Sequence, residues 1–192
     1  MSVAVDEPGK RPMRPRTTLG GAARRFGGCE RGVSMIEFVL VFPIMIFLFV
    51  GLVEFGEAFS VNRKIRNAAS TVSDLVSQEG TVSNAQLQDI VSVGTELLKP
   101  YRVAPFTLRV TSVVADAQNR TTVAWSFPAG GPAIGSAFSL PQGELTEANS
   151  SVIVTQTSYA FTPSTGYFIG SINLTGSAFF RPRALRVVAK TD

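Results

Sequence analysis

The residues able to do chemistry in this 192-residue chain are few, and the most unusual of them lies near its start. Glu37 is the fifth residue after Gly32 and the single charge between Val33 and Val53. A charged side chain surrounded by hydrocarbon is costly unless something pairs it or it reaches water. Two readings stand on the residues alone. In one, the run is a plain anchor and Glu37 snorkels to the interface. In the other, the acid is held ready for a cationic group on another protein.

Other chemistry is largely excluded. The chain has no histidine and one cysteine, Cys29, so an intrachain disulfide, Ser-His and Cys-His catalysis and most zinc sites are ruled out. It has no phosphate-binding glycine loop of the G-x-x-x-x-G-K-[ST] type, no metal-spaced acidic cluster and no catalytic carboxylate pair. Asp89 and Glu96, seven apart on one expected helix face, read as a solvated face. No enzymatic activity, cofactor or metal is expected. Three Asn-x-Ser/Thr triplets, at Asn119, Asn149 and Asn173, are read as chance matches.

The charge is equally local. Of 18 Lys/Arg and 14 Asp/Glu, residues 1–32 hold seven and three, which leaves eleven of each in the rest. The net +4 therefore belongs to the leader, and the body has no electrostatic footprint for nucleic acid. Lys10, Arg11, Arg14, Arg16, Arg24, Arg25 and Arg31, interleaved with Pro8, Pro12, Pro15 and two Gly pairs, argue against a stable fold in 1–32. A polybasic stretch beside an apolar run marks the side retained in the cytoplasm. No small-residue cleavage pattern follows the run, so a secretory signal fits poorly.

The elements that must position Glu37 follow directly. Residues 33–53 span roughly 31 Å as a helix, just enough for the hydrocarbon core. The uncharged part, Phe38–Val53, spans roughly 24 Å, which is marginal unless Glu37 lies near one interface. Pro43 loosens one turn. Beyond Glu54, Ala58, Val61, Ile65, Ala68, Ala69, Val72, Leu75 and Val76 recur at three-four spacing, one stripe of an amphipathic helix that Glu79-Gly80 would stop. A helix from 33 to 79 would be roughly 70 Å long, greasy all round in its first half and in need of a partner surface in its second.

A basic leader, a glycine, a glutamate five residues later and a half-apolar, half-amphipathic helix resemble the type IV pilin class. Within it the chain is most similar to the TadE-like pseudopilins of the tight-adherence (Flp) pilus system. The motif elements are Arg31-Gly32, Glu37-Phe38, Val41-Phe42-Pro43 and Glu54-Phe55-Gly56. Phe38 departs from the more usual tyrosine. Tyr159, Phe161 and the run Ser177 to Arg183 add a weaker C-terminal likeness. The resemblance implies a prepilin peptidase that cuts between Gly32 and Val33 on the cytoplasmic side. It also implies an ion pair between the freed amine of Val33 and Glu37 of a neighbouring subunit. Implied partners are the peptidase, other pilin or pseudopilin subunits and the inner-membrane assembly platform. Implied placement is a single pass through the bacterial inner membrane, N-terminus cytoplasmic. The competing expectation is an uncut single-pass protein with an extracytoplasmic binding domain.

For 80–192 the expectation is an outer α+β domain. Ser83 and Gln86 form a capping box for a helix whose inner stripe is Leu87, Ile90, Val91, Leu97 and Leu98, ending before Pro100. Phe106, Leu108 and Val110 alternate with Thr107, Arg109 and Thr111 as a strand, and Asp116–Asn119 makes a turn. Val123, Trp125 and Phe127 are expected to share one face of its partner, with Trp125 a core anchor. Residues 128–148, rich in Gly, Pro and Ser, read as a long loop used for subunit contact. Ser151–Phe161 is a third strand. After a loop at 162–174, a last strand covers 175–188, made an edge or a bulged strand by Pro182. The fold expected is a long N-terminal helix, transmembrane then amphipathic, followed by a second helix and a mainly antiparallel sheet of about four strands.

Overall fold

A computed structural model describes residues 30–140 and 147–191. Its first element, α1, is one helix over Glu30–Gln78 with Pro43 inside it. The chain divides into two compact units, one ending at Leu48 and one running from Phe49 onward. In the first, the described side chains from Ser34 to Leu48 are all exposed. The second holds the core.

The second half of α1 packs as its periodicity requires. Ala58, Val61, Ile65, Ala68, Ala69, Val72 and Val76 are buried, while Leu75 is only half-buried. Six of these join Leu87, Leu98, Phe106, Leu108, Val110, Trp125, Ile153, Tyr159, Phe161 and Val188 in one hydrophobic cluster. The helix is thus held on one face of the sheet, and two hydrogen bonds pin it there. Ser73 Oγ donates to Thr155 Oγ1 at 2.7 Å, and Thr157 Oγ1 donates to the Ile65 carbonyl at 3.2 Å.

After α1 come β1 (Thr81–Val82) and α2 (Asn84–Glu96), then β2 (Phe106–Ala115), β3 (Thr121–Phe127), β4 (Ser151–Phe161), β5 (Ile172–Phe180) and β6 (Ala189–Lys190). The α2 capping box is present: the Gln86 N–H donates to Ser83 Oγ at 3.3 Å, and the Ser83 N–H donates to Gln86 Oε1 at 2.9 Å. Leu87 and Leu98 are buried and Ile90 and Val91 half-buried, but Leu97 is 39% exposed. Leu97 is the C-cap, so it leaves the stripe where the helix ends. Asp89 and Glu96 are exposed.

The main sheet has the order β3-β2-β4-β5, antiparallel throughout. The fold is α+β. Three details differ from the sequence pattern. First, Trp125 lies opposite Ser112 but Val123 lies opposite Val113, with a register shift between them. Consecutive residues of β2 point to opposite faces, so the bulge sends Val123 and Trp125 to opposite faces as well. Second, β5 begins at Ile172 and ends before Pro182, whose missing N–H cannot extend a ladder. The chain crosses instead to the end of α1, where the Arg183 N–H donates to the Ser77 carbonyl and its guanidinium reaches Asp74 at 2.7 Å. Third, the chain returns as β6, a short parallel partner of β1.

Trp125 is a core anchor, 4% exposed, with Nε1 donating to the Val188 carbonyl at 2.9 Å. The far face of the sheet carries a smaller cluster of Val113, Val152 and Val154, on which Phe138, Leu140 and Phe179 pack. Residues 135–138 therefore follow β3 rather than forming a free loop: the Gly135 N–H donates to the Val123 carbonyl, and the Phe138 N–H donates to the Thr121 carbonyl.

Candidate functional site

The residues singled out by the sequence lie on α1. Gly32 and Val33 fall within its first turns, and Glu37 follows Val33 by four residues, about one helical turn. Glu37 is exposed, and among the described residues no ion pair involves it. Its surroundings along the helix are apolar: Met35, Ile36, Phe38, Val39 and Leu40 are each at least 60% exposed. Phe38 and Phe42 stack at 5.3 Å between centroids. Pro43 has no N–H, so the Val39 carbonyl lacks its usual helical donor. This helix is long and apolar enough to cross a membrane, and none of its most apolar window is buried. Exposed apolar surface on that scale marks a membrane or protein contact. The leader before Glu30, including Cys29, lies outside the described residues.

Glu54-Phe55-Gly56 resolves into three different environments. Phe55 is 64% exposed. A Cβ built on Gly56 would touch nothing within 4 Å, so packing gives no reason for glycine there. Glu54 is fully buried, and its carboxylate is received by the loop that joins β4 to β5. Oε1 accepts from Thr165 Oγ1 and from the Tyr167 N–H at 2.7 Å; Oε2 accepts from the N–H groups of Phe168 at 3.0 Å and Ile169 at 2.8 Å. Every partner is a donor, which suits an ionised carboxylate, an acceptor only. One turn on, Glu57 accepts from the Ser164 N–H at 3.2 Å and from Ser164 Oγ at 2.9 Å. Gly166, with φ +66°, supplies the left-handed turn that lets successive N–H groups converge.

Sequence reasoning placed Glu54 in a motif but not in this cradle. A signal was there: 54, 58, 61 and 65 share one helical stripe, so Glu54 occupies a core position. A carboxylate on a core stripe must be met by donors, because burying it bare is prohibitive. Which donors was not readable, since they stand more than a hundred residues away.

Residues 32–74 match the family model for TadE-like proteins. That stretch of the chain is TadE-like. The matched stretch contains Gly32, Val33, Glu37, Pro43, Glu54 and most of the residues by which α1 packs on the sheet. It stops short of the sheet itself. Neither the curated proteins nor the solved structures compared with the chain match it. The match supports involvement in Tad pilus assembly. Among the described residues no group of histidine, cysteine or acidic side chains could hold a metal ion.

Proposed function

We propose that this TadE-like chain is a pseudopilin-like protein of Tad/Flp pilus assembly. It is held by residues 33–53 in the bacterial inner membrane, with its leader in the cytoplasm and its α+β domain outside. A prepilin peptidase cuts it between Gly32 and Val33. The cut frees an ammonium at Val33, which pairs with Glu37 of an adjacent pilin or pseudopilin subunit as the chain joins the assembly platform. Two charges that are each costly in hydrocarbon are tolerable as a pair.

The observation that carries this reading is the isolation of Glu37. It is an exposed acid on an otherwise exposed apolar helix, one turn from the bond whose cleavage would create its cation. The Glu54 cradle strengthens the contrast, because this fold satisfies Glu54 internally and leaves Glu37 exposed. N-terminal sequencing of protein extracted from the host membrane tests the proposal. Chains beginning at Val33 when the peptidase is active, and at the original start when it is deleted, are expected. Retention of residues 1–32 in the presence of active peptidase leaves an uncut single-pass protein with an extracytoplasmic binding domain.

A further inference from the structure

We infer that the loop Ser164–Ile169 is a membrane-interface foot: it lies in the headgroup–acyl boundary beside the outer end of the apolar helix, and its occupant is lipid. The inference rests on reading α1 as a membrane anchor and adds to it where the anchor stops.

The loop sits at the right level. A Cβ on Gly51 would lie 3.9 Å from the Phe168 ring, so Phe168 stands beside the last residues of the apolar run, not beyond them. Its composition suits the boundary. Tyr167 is 80% exposed and Phe168 50%, and a tyrosine whose ring is apolar and whose hydroxyl is polar favours that zone. On the helix beside it, Leu52, Phe55 and Phe59 are 73%, 64% and 70% exposed. These apolar groups surround an acid pair that would otherwise keep the helix out of lipid.

The loop removes that obstacle. Glu54 and Glu57 are the only charged residues between Glu37 and Arg63, and the loop's donors engage both. The exchange is mutual. Irregular backbone near lipid needs partners for its N–H groups, and a carboxylate there needs donors. With both acids engaged, apolar surface continues six residues past Val53, to Phe59, about 9 Å farther along the helix. The uncharged run Phe38–Val53, roughly 24 Å as a helix, falls short of a hydrocarbon core of about 30 Å, and the extension makes up the difference.

The test uses the full chain with Cys29→Ser, reconstituted in phosphatidylethanolamine/phosphatidylglycerol vesicles. Single cysteines from Tyr167→Cys, Leu48→Cys and Gln118→Cys each carry an environment-sensitive nitrobenzoxadiazole dye. Gln118 lies in the β2–β3 turn, at the opposite end of the sheet from the foot. Lipids with a nitroxide near the headgroup or deep in the chain serve as quenchers. The expected result is blue-shifted emission at 167 that is quenched by the shallow nitroxide, with neither effect at 118. Emission at 167 that matches 118 overturns the inference. Blue-shifted emission that no nitroxide lipid quenches also overturns it, because another protein then covers the loop. Quenching at 48 by the deep nitroxide reports the anchor separately. If 48 also escapes quenching, the anchor reading fails and the foot fails with it; if only 167 escapes, the foot alone is wrong.

Discussion

Gly94 offers the sharpest quantitative check on how the two helices seat on the sheet. It is buried on α2, and a Cβ there would stand 2.8 Å from Leu108 Cδ1 on β2 and 2.8 Å from Val72 Cγ2 on α1. Ordinary contact begins at 3.4 Å, so Gly94→Ala forces a yield of 0.6 Å against each neighbour. Neither can yield freely. Val72 is fully buried and β-branched, hence stiff about χ1 in a helix, and Leu108 is 7% exposed in the main cluster. Overpacking of this kind costs about 1–3 kcal/mol. Against it stands the gain of removing a glycine from a helix, about 1 kcal/mol. The steric term wins at a site closed on two sides, for a net loss of about 1 kcal/mol. For a folded body of this size that lowers Tm by about 2–4 °C. The assay is thermal unfolding followed by circular dichroism on detergent-extracted protein, repeated in a Leu108→Val background. Shortening Leu108 relieves one of the two clashes, so Gly94→Ala must cost less there, a coupling expected of residues in contact. A neutral or stabilising Gly94→Ala, or a cost unchanged by Leu108→Val, refutes this packing of α2 between α1 and β2.

Four further outcomes follow from the same structure and proposal. Gly56→Ala meets no neighbour and should raise stability by about 0.5–1 kcal/mol in the same melt; if it lowers pilus yield as well, glycine is there for a contact with another subunit. Glu54→Ala should release the foot while sparing the sheet, read as faster amide exchange at Tyr167, Phe168 and Ile169 with protection in β4 unchanged; persistent protection of those three amides contradicts the cradle. Gly32→Leu should leave the precursor uncut on an immunoblot, and full processing of that variant would move the cut site elsewhere. Glu37→Ala should be cut normally yet fail in assembly, so wild-type pilus numbers on grids of that strain would remove the pairing role without touching the processing one.

Much of the architecture could be read from local patterns. The stripe Ala58, Val61, Ile65, Ala68, Val72, Val76 is a period that only a helix packed on one side produces, and each of those residues is buried. The Ser83–Gln86 box and the alternation at Phe106, Leu108 and Val110 were legible for the same reason, because each is decided within a few residues. Where the reading slipped, the deciding partner was remote. The bulge that turns Val123 away from the Trp125 face depends on β2's register, and nothing within β3 announces it. The end of β5 depends on where Arg183 meets α1, and on the short β1–β6 ladder that waits beyond.

Two of the acids of α1, Glu37 and Glu54, show the same division most plainly. Sequence alone determined that Glu37 stands as an isolated charge in an apolar run, because composition and helical rise are properties of the local chain. It also carried the motif by which residues 32–74 match the TadE-like family. Only the tertiary structure decided the fate of Glu54. A core-facing carboxylate can exist only if donors converge on it, and those donors arrive from a loop more than a hundred residues later, brought there by the packing of α1 along β4 and β5.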